Sequence, residues 1–315
     1  MATPTDIPTK TTMDKPALLA ATITVLAWAS AFVAIRSAGA HYSPGSLALG
    51  RIGIAAIVLL LVWAVRRGGW PKRAAWPGIV ISGVFWFGLY MVALNWGEQE
   101  VDAGTAAMVV NVGPVLIALL GGWLLREGIS ARLLAGIVVS FAGAVVVGLS
   151  TTDSSAHSSV LGVGLCLLAA VCYAAGVVSQ KVALRHASAM QATTFGAVLG
   201  AVACLPFAGQ LVSDVARAPL GATLNVVYLG VVPTALAFST WAYALSRTTA
   251  GKMGATTYAV PAIVIVMSWL LLDEVPAALT LAGGVVCLVG VAVSRSRARR
   301  RTIAPAAAVP DPVDS

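Results

Sequence analysis

Long apolar runs alternate along this chain with short polar breaks. Ten runs are long enough to cross a bilayer as helices, which takes about 20 residues each: 17–36, 45–65, 77–97, 103–124, 129–149, 160–182, 190–211, 222–245, 250–272 and 277–294. A helix satisfies its own backbone hydrogen bonds, the condition for lying in hydrocarbon. The pattern therefore predicts an all-α membrane protein with ten transmembrane helices.

The pattern also repeats. A shift of 147 positions lays Gly83-Val84 over Gly230-Val231, Ala103-Gly104 over Ala250-Gly251, Pro114 over Pro261, Glu127 over Glu274, Ala135-Gly136 over Ala282-Gly283 and Gly143 over Gly290, without a gap. A shift of 145 lays Trp28-Ala-Ser-Ala-Phe-Val-Ala-Ile-Arg36 over Tyr173-Ala-Ala-Gly-Val-Val-Ser-Gln-Lys181. Each unit holds five spans, and an odd number of spans forces the second unit to run through the membrane the other way. The expected organisation is a tail over 1–16, a first five-helix repeat over 17–149, a polar linker over 150–159, a second repeat over 160–294 and a basic tail over 295–315, with both tails disordered. Ala38-Gly39-Ala40 has the form of a signal cleavage site, but the run before it is too long, and its removal would break the pairing of spans.

Composition agrees. The chain is 59% hydrophobic and 10% charged, with mean hydropathy +0.90. Its net charge of +8 would suit nucleic acid, were the charge not sorted to one side of the bilayer. Seventeen of the twenty Lys and Arg residues fall on the side of the termini, leaving Arg36, Arg217 and Arg51, while Glu98, Glu100, Asp102, Asp153, Asp214, Asp273 and Glu274 lie on the other. The positive-inside rule places both termini in the cytoplasm, the 150–159 linker outside, and the protein in the cell membrane, with the lipid bilayer and not nucleic acid as its partner. Cys166, Cys172, Cys204 and Cys287 lie in apolar runs without metal spacing, so neither a disulfide, a metal nor a cofactor is expected.

The aromatic followed by three small residues, Arg51 in the second span, the repeated Pro-then-Glu spacing and the Gly-rich fifth and tenth spans resemble the EamA-type transporters of the drug/metabolite transporter superfamily. The resemblance covers roughly 17–294. It implies a cavity lined by spans 1, 3 and 4 with 6, 8 and 9, alternating access, and a small-molecule substrate such as an amino acid, related metabolite or drug, often exported. One departure is that Arg51 falls opposite Gly196.

Polar and aromatic side chains at mid-depth are the candidates for substrate binding, because each needs a partner or a watery cavity there. They are Trp28, Tyr90, Asn111, Tyr173 and Tyr258, with Thr234 a weaker candidate. Asn111 and Tyr258 coincide under the longer of the two shifts, three residues before Pro114 and Pro261. These prolines are expected to kink spans 4 and 9, serve gating and free the carbonyls of Val110 and Thr257. Arg51 has two readings, an interfacial or structural cation within snorkelling range or the counter-charge for a substrate carboxylate. Trp63, Trp70, Trp76, Tyr243, Trp96 and Trp269 read as interfacial aromatics, with Trp241 and Asn95 undecided. Arg36 and Lys181 read as anchors or gate contacts, and Glu127 and Glu274 as too shallow to carry protons. The predicted function is a secondary transporter. A membrane-embedded enzyme lacks clustered reactive groups at depth and a channel lacks a filter sequence. Coupling ion and oligomeric state stay open.

Overall fold

The computed structural model describes residues 13–100, 109–151, 160–260, 262–263, 266–267 and 278–295, and all regular structure among them is helical. Among the described residues, helical segments overlap each of the apolar runs: α1 (Lys15–Gly39), α2 (Pro44–Val65), α3 (Arg73–Glu100), α4 (Gly113–Leu124), α5 (Ala131–Thr151), α6 (Val160–Ala183), α7 (Ala189–Arg217), α8 (Leu220–Leu245), α9 (Ala250–Thr256) and α10 (Ala278–Arg295). Among the described residues α2, α3, α6, α7 and α8 are long and apolar enough to cross a membrane, and shorter apolar helical stretches cover Lys15–Ala31, Gly113–Leu124, Ala131–Val146 and Leu281–Ser294. The first helix starts slightly before the expected boundary. Asp14 caps it, accepting from the Ala17 N–H at 2.9 Å, and Pro16 sits in the first turn where no amide donor is needed.

The internal repeat is visible as geometry. Segments of π-helix occupy Gly83–Leu89 in α3 and Gly230–Leu236 in α8, and both ends of the two segments keep the register of the sequence repeat. Each helix finds a principal partner in the other repeat: α1 on α8, α6 on α3, α2 on α7, α4 on α9, α5 on α10. The repeats therefore fold as one intertwined body.

Their inversion can be read from α5 and α10. An ideal Cβ built on Gly136 would lie 2.6 Å from the Gly290 carbonyl oxygen, and one on Gly143 would lie 2.7 Å from the Gly283 carbonyl oxygen. Low numbers on one helix meet high numbers on the other, so the two run antiparallel. Between the glycines Ser140 Oγ donates to the Cys287 carbonyl at 3.0 Å and the Cys287 thiol to the Ser140 carbonyl at 3.4 Å. Repeat mates thus exchange bonds with each other, as residues on a two-fold axis do. Small residues permit this close backbone approach.

The helix starts at α2 and α7 keep the symmetry while changing its chemistry. Asp214, near the end of α7, accepts from the Ser43 N–H at 2.9 Å and the Ser43 hydroxyl at 3.0 Å, and also holds Ser46. At the matching positions of the second repeat, Ser188 and Gln191 form a capping box and Gln191 Nε2 donates to the Gly69 carbonyl at 2.7 Å. Elsewhere Asn95, undecided from sequence, is buried and donates to the Pro44 carbonyl at 3.2 Å.

A candidate substrate site between the repeats

The helices that the sequence assigns to the site are not simply kinked. The regular helical hydrogen-bond ladder lapses at Asn111–Val112, where Val112 keeps right-handed helical dihedrals (φ −66°, ψ −26°), and resumes as α4 at Gly113, with Pro114 in the first turn. The interruption of the ladder lies beside Pro114, where a kink is expected. A proline is well placed just inside a helix start because the first amides lack intrahelical acceptors in any case. The related helix ends in a turn at Thr257–Tyr258, close to the register of the repeat. The Thr257 carbonyl expected to be free accepts from the Val260 N–H at 2.9 Å. Pro261 lies outside the described residues.

The two interruptions meet. Tyr258 is fully buried, and its hydroxyl donates to the Asn111 carbonyl at 2.8 Å. This bond joins repeat mates across the two-fold axis, and it commits the Tyr258 hydroxyl to the protein. Tyr173 lies against the start of α4, where a Cβ on Gly113 would come 2.7 Å from its ring, and its hydroxyl faces Thr257 without closing a hydrogen bond.

Around Tyr173 and Trp28 the aromatics form one cluster. Trp28 Nε1 donates to the Pro233 carbonyl at 3.1 Å, in the π segment of α8, and its ring lies 5.0 Å from that of Trp241 and 6.3 Å from that of Trp86. Tyr173 lies 5.5 Å from Trp86, in the π segment of α3, and 5.7 Å from Tyr90. Trp28 with Pro233 and Tyr173 with Trp86 are the same contact in the two repeats, since each partner has its mate in the other pair. Trp28, Tyr90, Asn111, Tyr173 and Tyr258 are thus held in one neighbourhood, with Trp28 and Tyr90 partly accessible.

Trp86, Phe87, Phe238 and Trp241 carry much of the cluster. Sequence reasoning passed over Trp86 and Phe87 because their mates are Pro233 and Thr234, which are not aromatic. Trp241, undecided from its position near a span end, is fully buried. Trp63 and Trp70 stack around Phe195, with Trp70 mostly exposed.

Arg51 breaks the symmetry. It is 4% exposed, so it is packed between helices and does not snorkel to an interface. Its Nε donates to Thr234 Oγ1 at 3.2 Å, and Thr234 Oγ1 donates to the Leu229 carbonyl at 2.7 Å, an acceptor five residues back that the π geometry leaves in reach. The guanidinium also lies within electrostatic range of Tyr90 and Glu98. In the other repeat the same pair of positions is Gly196 against the Phe87 ring, 3.1 Å from an ideal Cβ. A polar, cationic wall therefore faces an apolar one.

The site is closed on the side that carries the basic loops. Lys181 Nζ donates to the Leu245 carbonyl at 2.6 Å and to the Thr248 carbonyl, bonding the C-terminal end of α8. Arg126, at φ +54°, closes α4 with a bond from the Glu127 N–H to the Gly121 carbonyl and swings Glu127 toward α9. Glu127 then accepts from the Ala250 N–H at 2.8 Å. Burial lifts its carboxyl above the ordinary value, against the opposing pull of that N–H, Lys181 and Arg185. Beyond these ties lies a cleft of about 530 Å³ lined by Arg66, Leu184, Met190, Ser239, Tyr243 and Arg247. Arg247 sits 3.6 Å over the Tyr243 ring and 3.7 Å from Asp14. The mates of the ties, Arg36 and Glu274, have no described side chains.

Among the described residues no three His, Cys, Asp or Glu side chains are grouped to hold a metal. The sequence pattern of the EamA-like transporter family matches residues 15–149 and again 160–296. The chain is 33% identical to a protein of Streptantibioticus cattleyicolor named "probable terminal-alkyne amino-acid exporter", over 90% of this chain and 96% of that one. It is 32% identical to an uncharacterized transporter of Bacillus subtilis, over 84% and 86% of the two chains. A solved crystal structure that is 22% identical superposes with a TM-score of 0.73 over 90% of this chain and 98% of that one, which shows a shared fold.

Proposed function

Since the chain belongs to the EamA-like transporter family and is a multi-pass membrane protein, we propose that it exports a small, partly apolar amino acid or related zwitterionic metabolite across the cytoplasmic membrane by alternating access. The observation that carries this reading is the aromatic cluster at mid-depth with one buried cation beside it. Flat apolar rings from both repeats suit a side chain of modest size. Arg51 supplies a fixed positive charge for a carboxylate, in a setting where water competes little. The exporter name of the Streptantibioticus cattleyicolor relative supports the same substrate class.

Interrupted helical ladders at Asn111–Val112 and Thr257–Tyr258, joined by the Tyr258–Asn111 bond, support rocking of the two repeats about a central site. The Lys181 and Glu127 ties then hold the basic, cytoplasmic side shut while the other side admits or releases substrate. A proton need not take part in this scheme.

The test is counterflow in proteoliposomes with labelled L-phenylalanine, L-threonine and a terminal-alkyne amino acid. Trp28→Ala and Tyr173→Ala should each lower transport at least about tenfold, the effect of losing roughly 1.4 kcal/mol of binding, while reaching the membrane in normal amount. Arg51→Gln should lose carboxylate-bearing substrates while leaving the fold intact. Parent-like transport by the two aromatic variants would place the site elsewhere.

A further inference from the structure

The seam between α6 and α8 holds polar groups that the central site does not use. Gln180 is fully buried, and neither its amide nitrogen nor its amide oxygen has a hydrogen-bond partner. Trp241 is fully buried with its Nε1–H unpaired, and the Tyr173 hydroxyl is unpaired as well. Such groups are costly to bury unless something completes their bonds in another state.

Their placement is ordered along the transport axis. Tyr173 and Gln180 are seven residues apart, so they share a face of α6 about 10 Å apart along it. At the Tyr173 level α6 touches α8 through Trp241, ring centroids 6.4 Å apart. At the lower level Lys181, next to Gln180, bonds the Leu245 carbonyl, one turn beyond Trp241. Gln180 thus lies along α6 between the levels of two contacts that join these helices. Past the lower contact lies the cleft of about 530 Å³, walled by Leu184, one turn beyond Gln180, and by Ser239 and Tyr243, which the two-residue spacing turns to the other side of α8 from Trp241.

We propose that this seam is a loading station on the basic side of the membrane, where the Gln180 amide and the Trp241 indole N–H first take the charged end of a zwitterionic amino acid once the Lys181 tie releases. The Gln180 amide offers both a donor and an acceptor and Trp241 a donor, which matches a carboxylate beside an ammonium group. From there the substrate moves about two helical turns to Tyr173 and the aromatic cluster. In this conformation the Gln180 amide and the Trp241 N–H are buried without a protein partner. The inference rests on the amino-acid reading above and adds a second, sided site to it.

The test uses right-side-out and inside-out membrane vesicles carrying the full chain, with labelled L-phenylalanine and L-threonine. Gln180→Leu keeps the volume and removes both polar atoms, and Trp241→Phe removes the N–H. The expected result for Gln180→Leu is a KM raised about tenfold from the cytoplasmic face with the external-face KM within about twofold of the parent, and for Trp241→Phe, whose ring also belongs to the aromatic cluster, a cytoplasmic-face KM raised more than the external one. A purely structural role would change protein amount or both faces together. Unchanged KM on both faces, as buried waters satisfying Gln180 would give, overturns the station. If Gln180→Leu does not accumulate in the membrane, Gln180→Met decides by the same criterion. A parent that transports neither amino acid overturns the amino-acid reading and the station together, whereas a transporting parent with unaltered seam variants overturns the station alone.

Discussion

Replacing Gly290 by alanine attacks the contact that holds the two repeats in inverted register. The new Cβ would lie 2.6 Å from the Gly136 carbonyl oxygen and would also meet the backbone nitrogen and hydroxyl of Ser140. Two of those three are backbone atoms, so no side chain can rotate away. Reaching an ordinary contact near 3.5 Å requires α5 and α10 to part by about 0.9 Å. The Ser140 Oγ to Cys287 carbonyl bond, 3.0 Å now, then exceeds hydrogen-bond length, a loss of about 1 kcal/mol. Strain and lost packing along the crossing add about 1–3 kcal/mol. The better helix propensity of alanine returns up to about 1 kcal/mol, leaving a net destabilisation of about 1–3 kcal/mol. The assay is unfolding by SDS titration in mixed micelles, followed by tryptophan fluorescence. Gly143→Ala, its repeat mate, whose Cβ would come 2.7 Å from the Gly283 carbonyl oxygen, should cost a similar amount. The double variant should cost less than the sum, because the first separation already makes room for the second methyl. A Gly290→Ala protein within about 0.5 kcal/mol of the parent, or strict additivity, would refute a shared close crossing.

Two further outcomes are expected. The folded-state pKa of Glu127 is raised above its ordinary 4.5 by burial, so its contribution to stability is full below about 4.5 and is lost as pH rises through the folded value. Glu127→Gln keeps an acceptor for the Ala250 N–H but cannot titrate, so the melting temperature of the parent relative to this variant should rise as pH falls from 7 toward 5, and a constant difference would remove the titration from Glu127. Orientation is checked by a cysteine placed at Ser155 in the 150–159 linker, which lies outside the described residues: an impermeant thiol reagent should label it in intact cells, and labelling only after lysis would reverse the topology.

Much of the architecture was legible from sequence because hydropathy and internal repetition are properties of the chain itself. An apolar run of bilayer length must become a helix wherever its neighbours lie. A gapless internal repeat can be read before any contact is known, and it picked out the α5 and α10 glycines and paired Asn111 with Tyr258 as mates. The mid-depth aromatics Trp28 and Tyr173 could be found in the same way, as mates in two copies of one unit. Tertiary structure decided what depends on which helix faces which. Arg51 lies near enough to a span end to reach an interface, and only the packing of α2 against α7 and α8 turns it inward onto Thr234. Pro114 could as well have kinked a helix as begun one, and only tertiary contact brings the Tyr258 hydroxyl onto the Asn111 carbonyl. Trp86, Trp241 and Gln180 carry no signal along the chain, since their mates are of other kinds and their burial is created by α6 and α8 coming together. A local pattern dictates helices and their symmetry, whereas the pairing of side chains across an interface is a relation between distant segments, and folding alone brings those together.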